Sequence, residues 1–173
     1  MRNDRTFSIT FCAMLAALSV VLLLVASFLP SGQLGMAAIV GLLPAAAVIS
    51  AGGRKAGLAC YIVTALLGFL LLPTKFAVLL YTVLFGHYAV VKSLLEQIKN
   101  PVLMWACKLI VCNALFTVLI LGFRSLLLGG LPERLQHVPL LYLGGSIAFI
   151  VYDLVFSMLI RFYRQRIGPY IRR

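Results

Sequence analysis

Few side chains in this sequence could do acid–base, nucleophilic or metal chemistry. The acids are Asp4, Glu96, Glu133 and Asp153, the histidines His87 and His137, the cysteines Cys12, Cys60, Cys107 and Cys112. No HExxH, GxSxG or GxxxxGK[ST] occurs, so the chain offers no zinc-protease helix, nucleophile elbow or nucleotide-binding loop of its own. The acids are scattered, and a hydrolase needs its nucleophile and base side by side. The cysteines all lie in apolar runs, without CxxC spacing or a neighbouring histidine cluster. They read as small core hydrophobes, with no disulfide framework or metal site. The expectation is a protein that is not an enzyme, has no cofactor and holds no metal.

Two charges stand apart because they fall inside apolar runs, Lys108 and Asp153. Ionisable groups in lipid are costly and usually pair. A Lys108–Asp153 contact, or at least a shared inward orientation, is expected. As function, the pair suggests a proton or ion relay. As structure, it suggests an interhelical ion pair that fixes helix register. Asn113 suits an interhelical hydrogen bond. His87, beside Tyr88, could sense pH or touch a ligand, or simply bond a neighbouring helix.

The elements that must position these groups follow from composition. Of 173 residues 63% are hydrophobic and 11% charged, with a mean hydropathy of +1.09. A soluble domain has about 45–50% apolar and about 25% charged residues. This excludes a soluble enzyme, a disordered tail and a disulfide-rich secreted module. Six apolar runs are long enough to cross a bilayer, about 7–29, 33–51, 56–72, 76–98, 102–128 and 140–162. They form one transmembrane domain over 1–173. The first run is longer than the apolar core of a signal peptide and is expected to be retained. Pro44 predicts a kink in the second span, because its nitrogen cannot donate to the Val40 carbonyl. The fourth helix is expected to continue through 92–99, since no breaker precedes Asn100-Pro101.

Lys and Arg number 15 and Asp and Glu 4, a formal net charge of +11. On a soluble protein this would suggest nucleic acid. Here the cations sit between the spans, so they report topology. Eleven fall on the side of both termini and three, Lys75, Arg124 and Arg134, on the other. The reading is an all-α membrane protein, a six-transmembrane-helix bundle with both termini cytoplasmic, multi-pass in a bacterial plasma membrane.

On the outer side Ser31, Gln33, Lys75, Tyr81, Arg124, Glu133, Arg134, Gln136, His137 and Tyr142 make either a solvated rim or a pocket for an anionic ligand. Ala13 and Ala17 in the first span, like Gly41 and Ala45 in the second, form small-xxx-small faces where helices can approach closely. The stretch 92–99 is amphipathic, and Glu96 can pair with Lys92 or Lys99 at helical spacing.

Six short-looped spans, both ends inside, no ATPase motif and the Ala13/Ala17 pair together resemble the S components of energy-coupling factor (ECF) transporters. These small membrane proteins capture vitamins or related nutrients. Ala13 and Ala17 match the family's AxxxA face, which contacts the transmembrane coupling subunit. The stretch 81–96, YTVLFGHYAVVKSLLE, also looks like uncharacterised members of that superfamily. The resemblance implies a ligand near the outer surface, lidded by the loop around 30–35 and lined by the fourth to sixth spans. Lys75, Tyr81, Arg124 and Tyr142 would be its contacts. It further implies partners on other chains, a coupling subunit and a pair of ATPases. One departure is that the sole Trp105 lies near the cytoplasmic end, which leaves only Tyr and Phe to stack a ligand ring. Two other readings compete. One is a non-transport scaffold of the cell-envelope machinery, resembling a rod-shape protein. The other is a small proton-coupled carrier using Lys108, Asp153 and His87.

Overall fold

The computed structural model describes residues 2–29, 32–51, 53–128 and 138–166, and every regular element among them is helical. The order is α1 (Arg2–Ser27), α2 (Gln33–Val40), α3 (Leu43–Ser50), α4 (Arg54–Leu71), α5 (Lys75–Leu80), a π-helical turn (Tyr81–Phe85), α6 (Tyr88–Leu95), α7 (Pro101–Leu128) and α8 (Val138–Arg166). Six stretches are long and apolar enough to cross a membrane: Thr6–Ser27, Gln33–Ser50, Arg54–Leu71, Lys75–Leu95, Pro101–Gly122 and Tyr142–Tyr163. A helix satisfies its own backbone, which lipid cannot do for it. The outward surface matches that solvent. Met14, Ile39, Leu70, Leu94, Leu121 and Met158, one from each stretch, are all exposed.

The chain divides into two compact units, Met1–Ser93 with Ser157–Arg173, and Leu94–Phe156. In the first, α1 turns a stripe of mostly small residues inward. Ala16, Ser19, Leu23 and Ala26 are buried at helical spacing. Ala16 meets Ala47 of α3 and Cys60 of α4, with Cys12 and Leu15 against them. Side chains this small let the helices approach closely. Two polar ties reinforce the contact. Ser8 donates to the Ala51 carbonyl, and the Cys12 thiol to the Ala56 carbonyl at 3.5 Å. These carbonyls flank the α3–α4 turn, where Gly53 has φ +81, a region that disfavours any side chain. A Cβ on Gly57 would lie 2.3 Å from Val48 Cγ2 and 3.2 Å from the Pro44 carbonyl. Close approach of α4 to α3 therefore requires glycine there.

As Pro44 predicts, the hydrogen-bond ladder of the second span is interrupted, while the backbone of Gly41 and Leu42 stays right-handed helical. The ladder parts at Gly41-Leu42, and Pro44 sits in the first turn of α3, where a missing N–H costs nothing. The Ala45 N–H donates to the Leu42 carbonyl to restart the helix.

The fourth span departs from the continuous helix that its sequence predicts. It contains the π turn and a turn at Gly86-His87, and it stops at Leu95. Beyond that point the Gln97 and Ile98 N–H groups reach back only three residues, to the Leu94 and Leu95 carbonyls. So 96–99 is turn, not amphipathic helix. Lys92, at the head of the stretch expected to be amphipathic, is 1% exposed and donates to Ser157 Oγ at 2.7 Å.

Candidate functional site

In the first unit, polar groups gather at the π turn. Widening the helix there sends the Gly86 N–H to the Tyr81 carbonyl, five residues back, at 2.6 Å. The Thr82 carbonyl instead takes two side chains. Tyr61 of α4 donates its hydroxyl at 3.1 Å, and His87 Nδ1 lies at 3.3 Å. An inserted side chain of this kind interrupts a helical ladder without any proline. Gly86 makes room for the rings. A Cβ there would stand 2.5 Å from the Tyr61 ring and 2.8 Å from that of Tyr81. The Tyr61 centroid is 6.0 Å from that of Tyr81 and 5.9 Å from that of His87, edge to face. Thr64, one turn along α4 from Tyr61, is fully buried, as is Tyr81. Thr64 Oγ1, Tyr81 OH and Gln33 Oε1 are the buried side-chain polar atoms without a hydrogen-bond partner among the described residues.

In the second unit, polar contacts ladder the antiparallel seam of α7 and α8. Lys108 Nζ is 2.8 Å from Asp153 Oδ2, with both side chains 2% exposed. The same ammonium is 3.8 Å from half-exposed Glu96 and 5.2 Å from the Trp105 ring centroid. Further along the seam, Ser146 donates to Asn113 Oδ1 at 3.4 Å, and Asn113 Nδ2 to the Leu109 carbonyl. Beyond them, Thr117 donates to the Asn113 carbonyl at 2.8 Å and meets the Tyr142 hydroxyl at 2.6 Å. The Tyr142 ring stands edge-on to Phe116. From Lys108 to Thr117 the seam runs nine residues, or about 14 Å at 1.5 Å per residue, close to half of a hydrocarbon core of about 30 Å. The ion pair is a closed contact, the geometry that fixes register.

The structure places the remaining candidates as follows. Lys75 gives two of its three donors to the end of α4, at 2.7 Å from the Phe69 carbonyl and 2.7 Å from that of Leu72. It thus serves as a C-cap, completing carbonyls that the helix leaves open. Arg54 does the same for α6, reaching the Ser93 carbonyl at 3.1 Å. Tyr81 lies wholly inside the protein, and Tyr142 is half-buried with its hydroxyl engaged. Arg124 lies in α7, but its side chain is outside the described set. Ser31, Glu133, Arg134, Gln136 and His137 also lie outside the described residues, as does Pro30 at the start of the expected lid. Ala13 and Ala17 are exposed on α1. Among the described residues no three His, Cys, Asp or Glu converge as a metal site.

Sequence reasoning passed over Tyr61, Thr64, Gly86, Thr117 and Ser146. A signal existed for the first two, polar residues at i and i+3 on one face of an apolar helix. Among the described residues the protein is thus all-helical, with six helices long and apolar enough to cross a membrane. Neither a family model, nor a curated relative, nor a solved structure matches it.

Proposed function

We propose that this chain is the substrate-binding membrane component of an ECF-type uptake transporter for a vitamin or related small nutrient. It works with a transmembrane coupling subunit and ATPase subunits on other chains. Both termini are cytoplasmic and the chain resides in the plasma membrane, a topology supported by the eleven-to-three distribution of Lys and Arg.

One observation carries the reading. On α1 the residues that hold the fold together, Cys12, Ala16 and Ser19, point inward, while Ala13 and Ala17 of the AxxxA pair remain exposed. Alanines spent on internal packing would be buried. An exposed pair of small residues is a surface that another helix can approach closely. In this reading the candidate ligand contacts are those that the resemblance implies, Lys75, Tyr81, Arg124 and Tyr142.

The test is a thermal-shift screen of the purified chain in detergent against vitamins, their precursors and other small nutrients. A ligand bound only by the folded state at a hundredfold excess over Kd adds about 2.7 kcal/mol. The expected result is a clear shift for one compound that Arg124→Ala or Tyr142→Phe abolishes. No shift across the panel, together with stable association with a cell-envelope assembly factor, overturns the reading in favour of a scaffold.

A further inference from the structure

His87 is a titratable side chain inside the fourth apolar stretch, Lys75–Leu95, and the proposed function makes no use of it. Ionisable groups at such depth are costly and mark functional positions. The contacts of its ring fix which nitrogen carries hydrogen. Nδ1 lies 3.3 Å from the Thr82 carbonyl. A carbonyl oxygen only accepts, so this bond requires the hydrogen on Nδ1. A neutral imidazole has one N–H, which leaves Nε2 with a bare lone pair. His87 is half-buried. Its Nε2 meets no hydrogen-bond partner among the described residues, and it is not enclosed as Thr64 Oγ1 and Tyr81 OH are.

The bond that Nδ1 makes is tied to the form of the helix. In a regular α-helix the Thr82 carbonyl takes the Gly86 N–H, four residues on. Here the Gly86 N–H goes to the Tyr81 carbonyl at 2.6 Å, and the Thr82 carbonyl depends on His87 and the Tyr61 hydroxyl. Whatever strengthens those side-chain bonds favours the π turn over regular helix.

The surroundings leave water as the source of a proton. The π turn packs mainly against α2, α4 and α5. No titratable side chain lies on α2. Lys75 of α5 caps α4, Arg54 of α4 holds Ser93, and Lys92 of α6 donates to Ser157. Lys55 and Cys60 complete the titratable groups of α4 with Tyr61, and Tyr61 is the one whose ring faces His87, edge to face at 5.9 Å. No charged side chain among the described residues acts on the imidazole.

We propose that His87 is a proton-uptake switch built into the π turn, held as the Nδ1–H tautomer while neutral and charged by a proton at Nε2. On uptake the Nε2 lone pair forms one N–H bond with a proton from water, the ring gains one positive charge, and Nδ1–H stays on the Thr82 carbonyl. A charged donor makes a hydrogen bond roughly twice as strong as a neutral one, so uptake tightens the π turn. The inference stands on this turn and is independent of the transport reading.

The test uses the full-length chain in detergent with 15N-labelled histidine. The chain has two histidines, and His87→Gln identifies the signals of His87 by their loss. At high pH the hydrogen is expected on Nδ1 with Nε2 bare; on acidification Nε2 gains a hydrogen and Nδ1 keeps its own. Over the same range, exchange of the Gly86 amide, corrected for the intrinsic effect of pH, is expected to slow by about fivefold, the effect of one further ordinary hydrogen bond. Glutamine keeps a donor but does not titrate, so the slowing is expected to vanish in His87→Gln. Hydrogen on Nε2 at high pH overturns the proposal, as does a ring that takes up no proton while the chain stays folded. Equal slowing in His87→Gln, or no slowing as the ring charges, overturns the link to the π turn. Where His87→Gln fails to fold, His137→Gln leaves His87 as the single histidine and makes the same assignment.

Discussion

Lys108 on α7 and Asp153 on α8 lie 45 residues apart in sequence and hydrogen-bond at 2.8 Å, both buried. Removing one partner strands the other's charge, whereas removing both does not. Asp153→Asn or Lys108→Met is expected to cost about 3–5 kcal/mol, and Lys108→Met with Asp153→Leu to recover most of that loss. Unfolding of the four proteins in detergent closes the cycle. Equal destabilisation by the double and single substitutions contradicts the closed-pair reading.

Ala16 and its neighbours Ala13 and Ala17 should behave oppositely. Ala16→Leu forces bulk into the contact with Ala47 and Cys60 and is expected to cost about 1–3 kcal/mol. Ala13→Leu and Ala17→Leu point outward and are expected to stay within about 0.5 kcal/mol of the parent. Melting temperatures distinguish the two classes. If the AxxxA face docks a coupling subunit, the two exposed substitutions abolish co-purification with that co-expressed subunit while leaving the melting temperature unchanged.

Gly86→Ala sets a methyl group against two rings, at 2.5 Å from Tyr61 and 2.8 Å from Tyr81. The expected loss is about 1–3 kcal/mol from overpacking. Shortening the ring that it meets, in Gly86→Ala with Tyr61→Leu, should lessen the clash while leaving the Thr82 carbonyl with His87 Nδ1 alone of its two side-chain partners. Chemical denaturation of the single and double variants shows whether the effects are coupled, as contact between the sites requires.

Thr117 and Tyr142 share a hydrogen bond of 2.6 Å across the α7–α8 seam. Measured couplings of this kind within membranes average about 0.6 kcal/mol and reach about 1.7. A cycle of Thr117→Val and Tyr142→Phe is expected to fall in that range. Zero coupling would mean that each hydroxyl finds another partner as readily.

Some of this architecture is legible residue by residue. Apolar runs of about 20 residues announce the spans, because spanning lipid is a matter of length and hydropathy. Lys108 and Asp153 attract attention because a charge within a span must turn inward. Other features leave no such trace. Nothing between Phe76 and Leu95 resembles a breaker apart from Gly86, yet the α-helical ladder gives way to a π turn at Tyr81–Phe85. The agent is the Tyr61 hydroxyl, which arrives from another helix 21 residues earlier to take the Thr82 carbonyl. Lys75 reads as a candidate anion contact, and the fold uses it to cap α4. Lys92 reads as the head of an amphipathic stretch, and the fold buries it against Ser157.

By itself the sequence determined the solvent of this protein, the helical class that solvent demands and the approximate limits of six spans. These are properties of composition summed along a continuous stretch, and no distant contact alters them. Tertiary structure decided which face of each helix turns inward, which carbonyls lose their helical partners and which side chains replace them. Those outcomes depend on the rotation and register of one helix against another. The packing of small residues such as Ala16, Ala47 and Gly57 sets them, at a precision of one residue, about 100° of turn and 1.5 Å of rise. Hydropathy does not resolve that scale.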